Sequence, residues 1–329
     1  MNDNLKKRCE LFIQNRNELK SSFYWQNSML YPVCANFYVQ KNKEVDCDRI
    51  KECRKMIKKH TGAFSNFRGI SNLVIATLLS LEENPEAILE ESLEIYQKLK
   101  KEFHGSAYLT LTAMVLSTMQ NGIYSIDAII KKAKAIYKGV KSDHPMITSS
   151  EDSGMVVLLA LCDKSEQQIV EEVQRCYELL KPNFFSANAT QALSFVLALS
   201  EEDPKIKCPR AVAIYNHLKD VNCKYGRGLE LAILGVIAIE DIDMEQVGNT
   251  IQEINQFLLN SKGFGAFGVG RAQRIMYATM LMMYDLTEGK QNATMNTAAI
   301  TSVTSIIIAQ QIAICAAASS AVAASAANN

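Results

Sequence analysis

Charged and polar side chains recur in the segments that come just before the apolar helical stretches of this chain. The candidate site residues in these segments are His60, Asn66, Arg68, His104, Glu151, Asp152, Arg227, Glu230 and Arg271. Each of the three arginines is next to a glycine in the sequence. Because a helix N-terminus presents unpaired N–H groups and the positive end of the helix dipole, residues there attract anions. One interpretation is therefore a shared site for a small anionic ligand.

The same residue types also have ordinary structural roles. Ser, Asn and Asp before a helix cap its first N–H groups, and glycine in a turn supplies conformational freedom. The arginines could pair with Glu151, Asp152 or Glu230 as structural ion pairs. We favour this structural interpretation over the ligand site, and both stay open at the level of sequence.

No catalytic signature is present in the sequence. The segment Gly263–Gly270 resembles a phosphate-binding loop, but no strand precedes it and no Gly-Lys-Ser/Thr follows it. The adjacent pair Asp143 and His144 has no matching nucleophile. The four histidines never lie at ligand spacing from a cysteine or an acid, so we expect no metal site and no cofactor. Whether the chain is an enzyme stays undecided.

A repeated pair of helices is expected to position these residues. Apolar helices recur about 40 residues apart, a period typical of two-helix repeats. Their central residues are Ala76, Ala113, Val157, Val196, Leu234 and Ala278. Amphipathic helices lie between them, at Pro85–Phe103, Ser125–Val140, Ser165–Leu180, Pro209–Val221 and Asp243–Leu259. The pattern predicts an all-α fold with about seven antiparallel helical hairpins, forming an α/α superhelix or an α/α toroid. The candidate residues would then lie on one rim, where the inner helices begin.

Composition limits the compartment and the class of partner. The chain has 329 residues and 48% hydrophobic content, which is ample for a large core. Lys plus Arg and Asp plus Glu both number 35, so the sequence gives no basic footprint for nucleic acid. Nine cysteines, an odd number, and an N-terminus without an apolar signal core favour reduced thiols in the cytoplasm.

The two ends of the chain differ from the repeats. A helix is expected over residues 3–22, followed by the aromatic segment Phe23–Tyr38, which would cover the open end of a stack. We expect one helical-repeat domain over residues 1–290 and an uncharged C-terminal helix within 291–329, packed on the last repeat. Residues 297–320 are long enough to cross a bilayer, but Gln310 and Gln311 near the middle argue against a membrane segment. A disordered tail is the third alternative. The buried contacts expected in a helix over 297–323 are Ile300, Val303, Ile307 and Ile314.

Four segments carry a resemblance to a known family. The run Leu11–Arg16, the segments Phe64–Gly69 and Ser149–Gly154, and the Ala-rich C-terminus resemble an uncharacterised bacterial family catalogued as a domain of unknown function. The resemblance covers nearly the whole chain and implies no activity, cofactor or catalytic residue. The leading hypothesis is a cytosolic helical-repeat binding or scaffold protein with an unknown protein partner. The alternative is an enzyme or small-ligand receptor with an anion site on the rim.

Overall fold

The computed structural model describes residues 1–69, 71–103, 107–119, 125–226, 228–240, 242–265 and 268–287. Within these ranges the chain forms fourteen α-helices and no strand, which confirms the all-α prediction. The odd-numbered helices are amphipathic outer helices: α1 (Asp3–Ser22), α3 (Cys47–His60), α5 (Pro85–Glu102), α7 (Ile126–Asp143), α9 (Glu166–Leu180), α11 (Pro204–Asp220) and α13 (Met244–Leu259). The even-numbered helices are apolar inner helices: α2 (Leu30–Gln40), α4 (Asn72–Ser80), α6 (Ala107–Met119), α8 (Ser153–Leu159), α10 (Ala187–Leu197), α12 (Ala232–Ile239) and α14 (Arg271–Thr287).

The outer helices begin where the sequence supplies a cap. Ser165 and Gln168 form a reciprocal capping box at the start of α9, which satisfies two otherwise unpaired N–H groups. In α11 the helix begins at Pro204, because Asp203 caps it and proline needs no N–H donor in the first turn. The predicted start at Pro209 is therefore wrong, and Pro209 lies inside the helix. The first helix has the predicted bounds, Asp3–Ser22.

The inner helices are surrounded by other helices. All eight residues of α12 are buried, and so are ten of the eleven residues of α2. The methionines of α14, Met276, Met280, Met282 and Met283, are buried as well. Short connections make each outer helix and the following inner helix an antiparallel pair, from α1 with α2 to α13 with α14. These pairings are consistent with the predicted array of about seven hairpins.

The first and last hairpins pack against each other. Helix α1 contacts both α13 and α14, and α2 contacts α14. The Phe12 ring lies 5.2 Å from the Tyr277 ring, and Asn36 Nδ2 donates to Tyr284 Oη at 2.8 Å. Each hairpin therefore has two neighbours, as in a ring. The expectation that the aromatic segment Phe23–Tyr38 covers an open end is wrong, because the last hairpin occupies that place.

Three further expectations concern the cysteines, a membrane segment and the C-terminal helix. The eight cysteines inside the described ranges are all free thiols. No helix in these ranges is long and apolar enough to cross a membrane. The C-terminal helix and its contacts at Ile300, Val303, Ile307 and Ile314 lie outside the described residues, and so does the boundary near residue 290.

Candidate functional site

The outer-to-inner turns of the hairpins form one set of segments. We call this set the front rim. It comprises the last four residues of each outer helix and the chain that follows, up to the first residue of the next inner helix. Its segments are residues 19–30, 57–72, 99–107, 140–153, 177–187, 217–232 and 256–271. All nine residues of the predicted site fall in these segments, and the inner-to-outer turns form the back rim.

Arg68 holds the C-terminal end of the neighbouring outer helix. Its Nη2 donates to the carbonyl oxygens of Lys58 and Thr61, and its Nε donates to Thr61 Oγ1 at 3.0 Å. The last carbonyls of a helix have no partner within the helix and carry the negative end of its dipole. The guanidinium therefore compensates the end of α3, and no carboxylate is needed for this role.

Arg271 has the same kind of partner in another hairpin. Its Nη2 donates to the carbonyl oxygen of Asn222 at 2.9 Å and to Asn222 Oδ1 at 2.6 Å. Asn222 follows the end of α11 and has a positive φ of 57°, as is common for Asn just after a helix. Arg271 is exposed, so it combines this structural contact with access to solvent.

The glycine-rich segment at 263–270 presents carbonyl oxygens to arginines. Gly263 has a φ of +93°, and a side chain there would collide with the guanidinium of Arg16. Arg16 Nη2 donates to the Gly263 carbonyl at 3.4 Å, and Arg274 Nη1 donates to the Phe264 carbonyl at 2.6 Å. Burial lowers the pKa of both arginines. These contacts hold α1 and α14 to the loop and differ from the N–H cradle of a phosphate loop.

His60 and Asn66 lie in the turn between α3 and α4. His60 Nε2 is 2.9 Å from Glu86 Oε1, and His60 Nδ1 is 3.8 Å from Glu90 Oε1. One ligand atom from each of these three residues lies within 4.8 Å of the others, so together they could hold a metal ion. Glu86 also pairs with Lys59 at 3.9 Å, an ammonium that competes for the same carboxylate. The contacts therefore suit an ion-pair network as well.

Asn66 forms part of a shallow groove on the same turn. Its Nδ2 donates to Tyr96 Oη at 2.7 Å. The groove encloses about 440 Å³ and is also lined by His60, the fully exposed Phe64 and Lys100. Two of the nine predicted site residues, His60 and Asn66, line this groove.

The acidic residues of the predicted site stabilise their own turns. The backbone N–H of Ser149 donates to Asp152 Oδ2 at 2.8 Å, and Asp152 is buried. The backbone N–H of Gly228 donates to Glu230 Oε1 at 3.2 Å. His104, Arg227 and the side chain of Glu151 lie outside the described part of the chain. Both of these hydrogen bonds join residues of the same turn.

Exposed apolar side chains on the front rim were missed by the sequence analysis. The large hydrophobic residues that expose more than half of their surface on this rim are Tyr24 (66%), Trp25 (84%), Phe64 (102%), Met146 (96%) and Phe185 (92%). They occupy four different outer-to-inner turns. Elsewhere among the described residues the largest exposure of this kind is 53%, at Ile206 in the first turn of α11. Apolar residues in polar turns are the signal that could have revealed them.

The two rims also differ in charge, although the whole chain has none. We count the back rim from the residue after each inner helix to the second residue of the next outer helix. These segments contain 16 acidic and 4 basic residues, a net charge of −12. The front-rim segments contain 13 basic and 7 acidic residues, a net charge of +6. Helix dipoles favour this distribution, because acids stabilise the N-terminal ends of the outer helices and lysines stabilise their C-terminal ends.

Comparisons with known proteins place the chain among uncharacterised relatives. The family model described as "Protein of unknown function (DUF4003)" matches residues 15–312. "Uncharacterized protein YeaA" from Bacillus subtilis (strain 168) is 24% identical over 329 residues, covering 98% of this chain and 97% of that protein. No solved structure matches the chain. These names state no activity, so the argument about function depends on the geometry of the rim.

Proposed function

The chain belongs to the DUF4003 family of proteins of unknown function, as its resemblance predicted, and we propose that it is a cytoplasmic binding or scaffold protein. Its binding surface is the front rim. The partner is a protein, held by side chains that project from successive turns of one rigid array of helices.

One observation carries this proposal, the exposure of large apolar side chains on the front rim. Exposed apolar surface on a soluble protein marks an interaction site when it is concentrated in one region. Trp, Tyr and Phe are also enriched among the residues that dominate binding energy in protein interfaces. Loops on a rigid scaffold are a common place for binding residues. Trp25, Phe64 and Phe185 satisfy all three criteria.

A small anionic ligand on the same rim is the second candidate. The groove beside α5 supports it, since His60, Asn66 and Lys100 offer polar groups next to an apolar wall. The arginines weaken it, because Arg68 and Arg271 already donate to helix-end carbonyls. A thermal-shift screen against phosphates and carboxylates tests this candidate, since a ligand that binds the folded state raises the melting temperature.

Site-specific photo-crosslinking in the native cells tests the protein-binding proposal. A photoreactive phenylalanine analogue replaces Phe64 in one variant and Tyr24 in another. The matched controls carry the analogue at Ile206 and Met244, two exposed apolar positions in the first turns of the outer helices α11 and α13. We expect both front-rim variants to form the same discrete adduct and both controls to lack it.

The proposal is refuted by a specific pattern of adducts. If the front-rim variants form no adduct, or form only the adducts that the controls also form, the exposed side chains do not define a binding surface. Circular dichroism of each variant verifies that the helical fold is retained.

A further inference from the structure

We propose that the partner is an acidic protein segment with apolar anchor residues, and that it binds the arc of the front rim formed by the seventh, first, second and third hairpins. The inference rests on the proposed function and adds the chemistry of the partner and its place on the rim. These four hairpins are consecutive in space, because α13 packs on α1, α1 on α3 and α3 on α5.

The charge of this arc is mainly positive. Its front-rim segments contain a single acidic residue, Glu102, and Glu86 and Glu90 of α5 reach the arc at His60. The basic residues are Lys20, Lys58, Lys59, Arg68, Lys100, Lys101, Lys262 and Arg271. A surface of one sign steers an oppositely charged partner and disfavours partners of like charge. The arc therefore selects an acidic partner.

Most of these lysines are available to a partner. All six are exposed, and Lys59 alone among them has a carboxylate within 4.0 Å in the described residues, at Glu86. The Lys100 ammonium lies over the ring of Tyr96, 5.8 Å from its centre, a contact that leaves its charge uncompensated by a carboxylate. Their charge is thus not neutralised by the protein itself.

A lysine-lined groove extends this positive surface down the side of the array. It lies between α5 and α7 and encloses about 710 Å³. It is lined by five lysines, Lys98, Lys101, Lys131, Lys134 and Lys138, against the two acids Glu102 and Asp127. An extended acidic segment that crosses the rim at the third hairpin can continue into this groove.

Three of the five exposed apolar side chains of the front rim, Tyr24, Trp25 and Phe64, lie in the same arc. The rings of Tyr24 and Trp25 lie 4.8 Å apart in the first hairpin and project from its turn. Phe64 projects from the second hairpin, whose inner helix α4 packs on α2. Aromatic side chains next to lysines suit a segment that combines carboxylates with apolar anchors.

The remaining rim favours a protein over an anionic membrane. The front-rim segments of the fourth, fifth and sixth hairpins contain six acidic and five basic residues. A flat anionic bilayer that met Trp25 and Phe64 would also approach this side, which has no excess of positive charge. A protein segment of limited size can contact the basic arc alone.

Trp25 provides a direct probe, because it is the only tryptophan in the chain. The test measures its fluorescence during titration with a peptide of alternating Glu and Leu/Phe residues. A matched peptide with Lys in place of Glu, and vesicles containing phosphatidylglycerol, serve as the other arms. We expect the acidic peptide to shift the emission to shorter wavelength and to bind at least tenfold more tightly than the basic peptide. Binding should weaken as salt is added.

A charge variant locates the interaction. Replacing Lys20, Lys58 and Lys100 together by Gln should weaken acidic-peptide binding about tenfold. The control replaces Lys41, Lys43 and Lys205, three exposed lysines of the back rim, by Gln and should leave binding unchanged.

The inference is overturned if the two peptides bind with equal affinity, if only the vesicles bind, or if no probe changes the Trp25 emission. Because crosslinking at Phe64 and Tyr24 is independent of charge, a specific adduct there would keep the proposed function while this inference fails.

Discussion

The replacement of Arg68 by Met separates a structural arginine from a ligand-binding one. Methionine keeps much of the aliphatic stem but removes donors to three oxygen atoms, those of the Lys58 carbonyl, the Thr61 carbonyl and the Thr61 hydroxyl. A net value of about 1 kcal/mol for each hydrogen bond gives an upper sum of about 3 kcal/mol. Since Arg68 is only partly buried, we expect the free energy of unfolding to fall by about 2 kcal/mol.

Urea denaturation followed by circular dichroism measures this loss. The matched control is Lys55→Met, which replaces an exposed residue of α3 and should change the free energy of unfolding by no more than about 0.5 kcal/mol. If Arg68→Met leaves stability unchanged or raises it, the guanidinium is not compensating the end of α3 and the structural reasoning is refuted. In that case phosphate should raise the melting temperature of the wild type more than that of the variant.

Two further predictions concern the interior. Glu172→Gln should lower the free energy of unfolding, measured by urea denaturation, by about 3–5 kcal/mol, because Glu172 is the carboxylate partner of the fully buried Lys207. The control Glu171→Gln replaces an exposed neighbour and should change this free energy little. Equal effects of the two substitutions would contradict the prediction. Burial raises the pKa of Cys34 to about 12 from 9.0, so ionisation of the unfolded chain should lower stability as pH rises from about 9 towards 12. In this pH window the free energy of unfolding of the Cys34→Ala variant should fall less steeply than that of the wild type, and the two slopes should differ by about 1.4 kcal/mol per pH unit. Equal slopes would refute the raised pKa of Cys34.

The fold was predictable because its signals are local. Helical periodicity, capping residues and the recurrence of apolar helices are all properties of short sequence windows. They gave the first helix its bounds, which the structure confirms. The predicted start of α11 at Pro209 is wrong, because Pro204 is the proline in the first turn of this helix.

The roles of the rim residues were less predictable because they depend on contacts between hairpins. From the sequence, Glu151, Asp152 and Glu230 are the expected partners of structural arginines. Arg68 and Arg271 instead donate to main-chain carbonyl oxygens near helix ends. Every helix has such carbonyls whatever its sequence, so no sequence pattern identifies them as partners. The approach of His60 to Glu86 and Glu90 was missed for a related reason, since 26 and 30 residues separate them and only the packing of α3 on α5 brings them together.

The contact between the first and last hairpins changes how the molecule should come apart. In an open repeat array the terminal units have one neighbour each and fray first. Here Asn36 reaches Tyr284 across 248 residues of sequence, so every hairpin in the described array is held on two sides. Opening any one of them breaks two interfaces at once, which favours unfolding as a single cooperative event. The same contact closes a very long loop during folding, and such contacts form slowly. Hydrogen exchange should therefore show nearly uniform protection among the inner helices, with no gradient from the ends towards the middle.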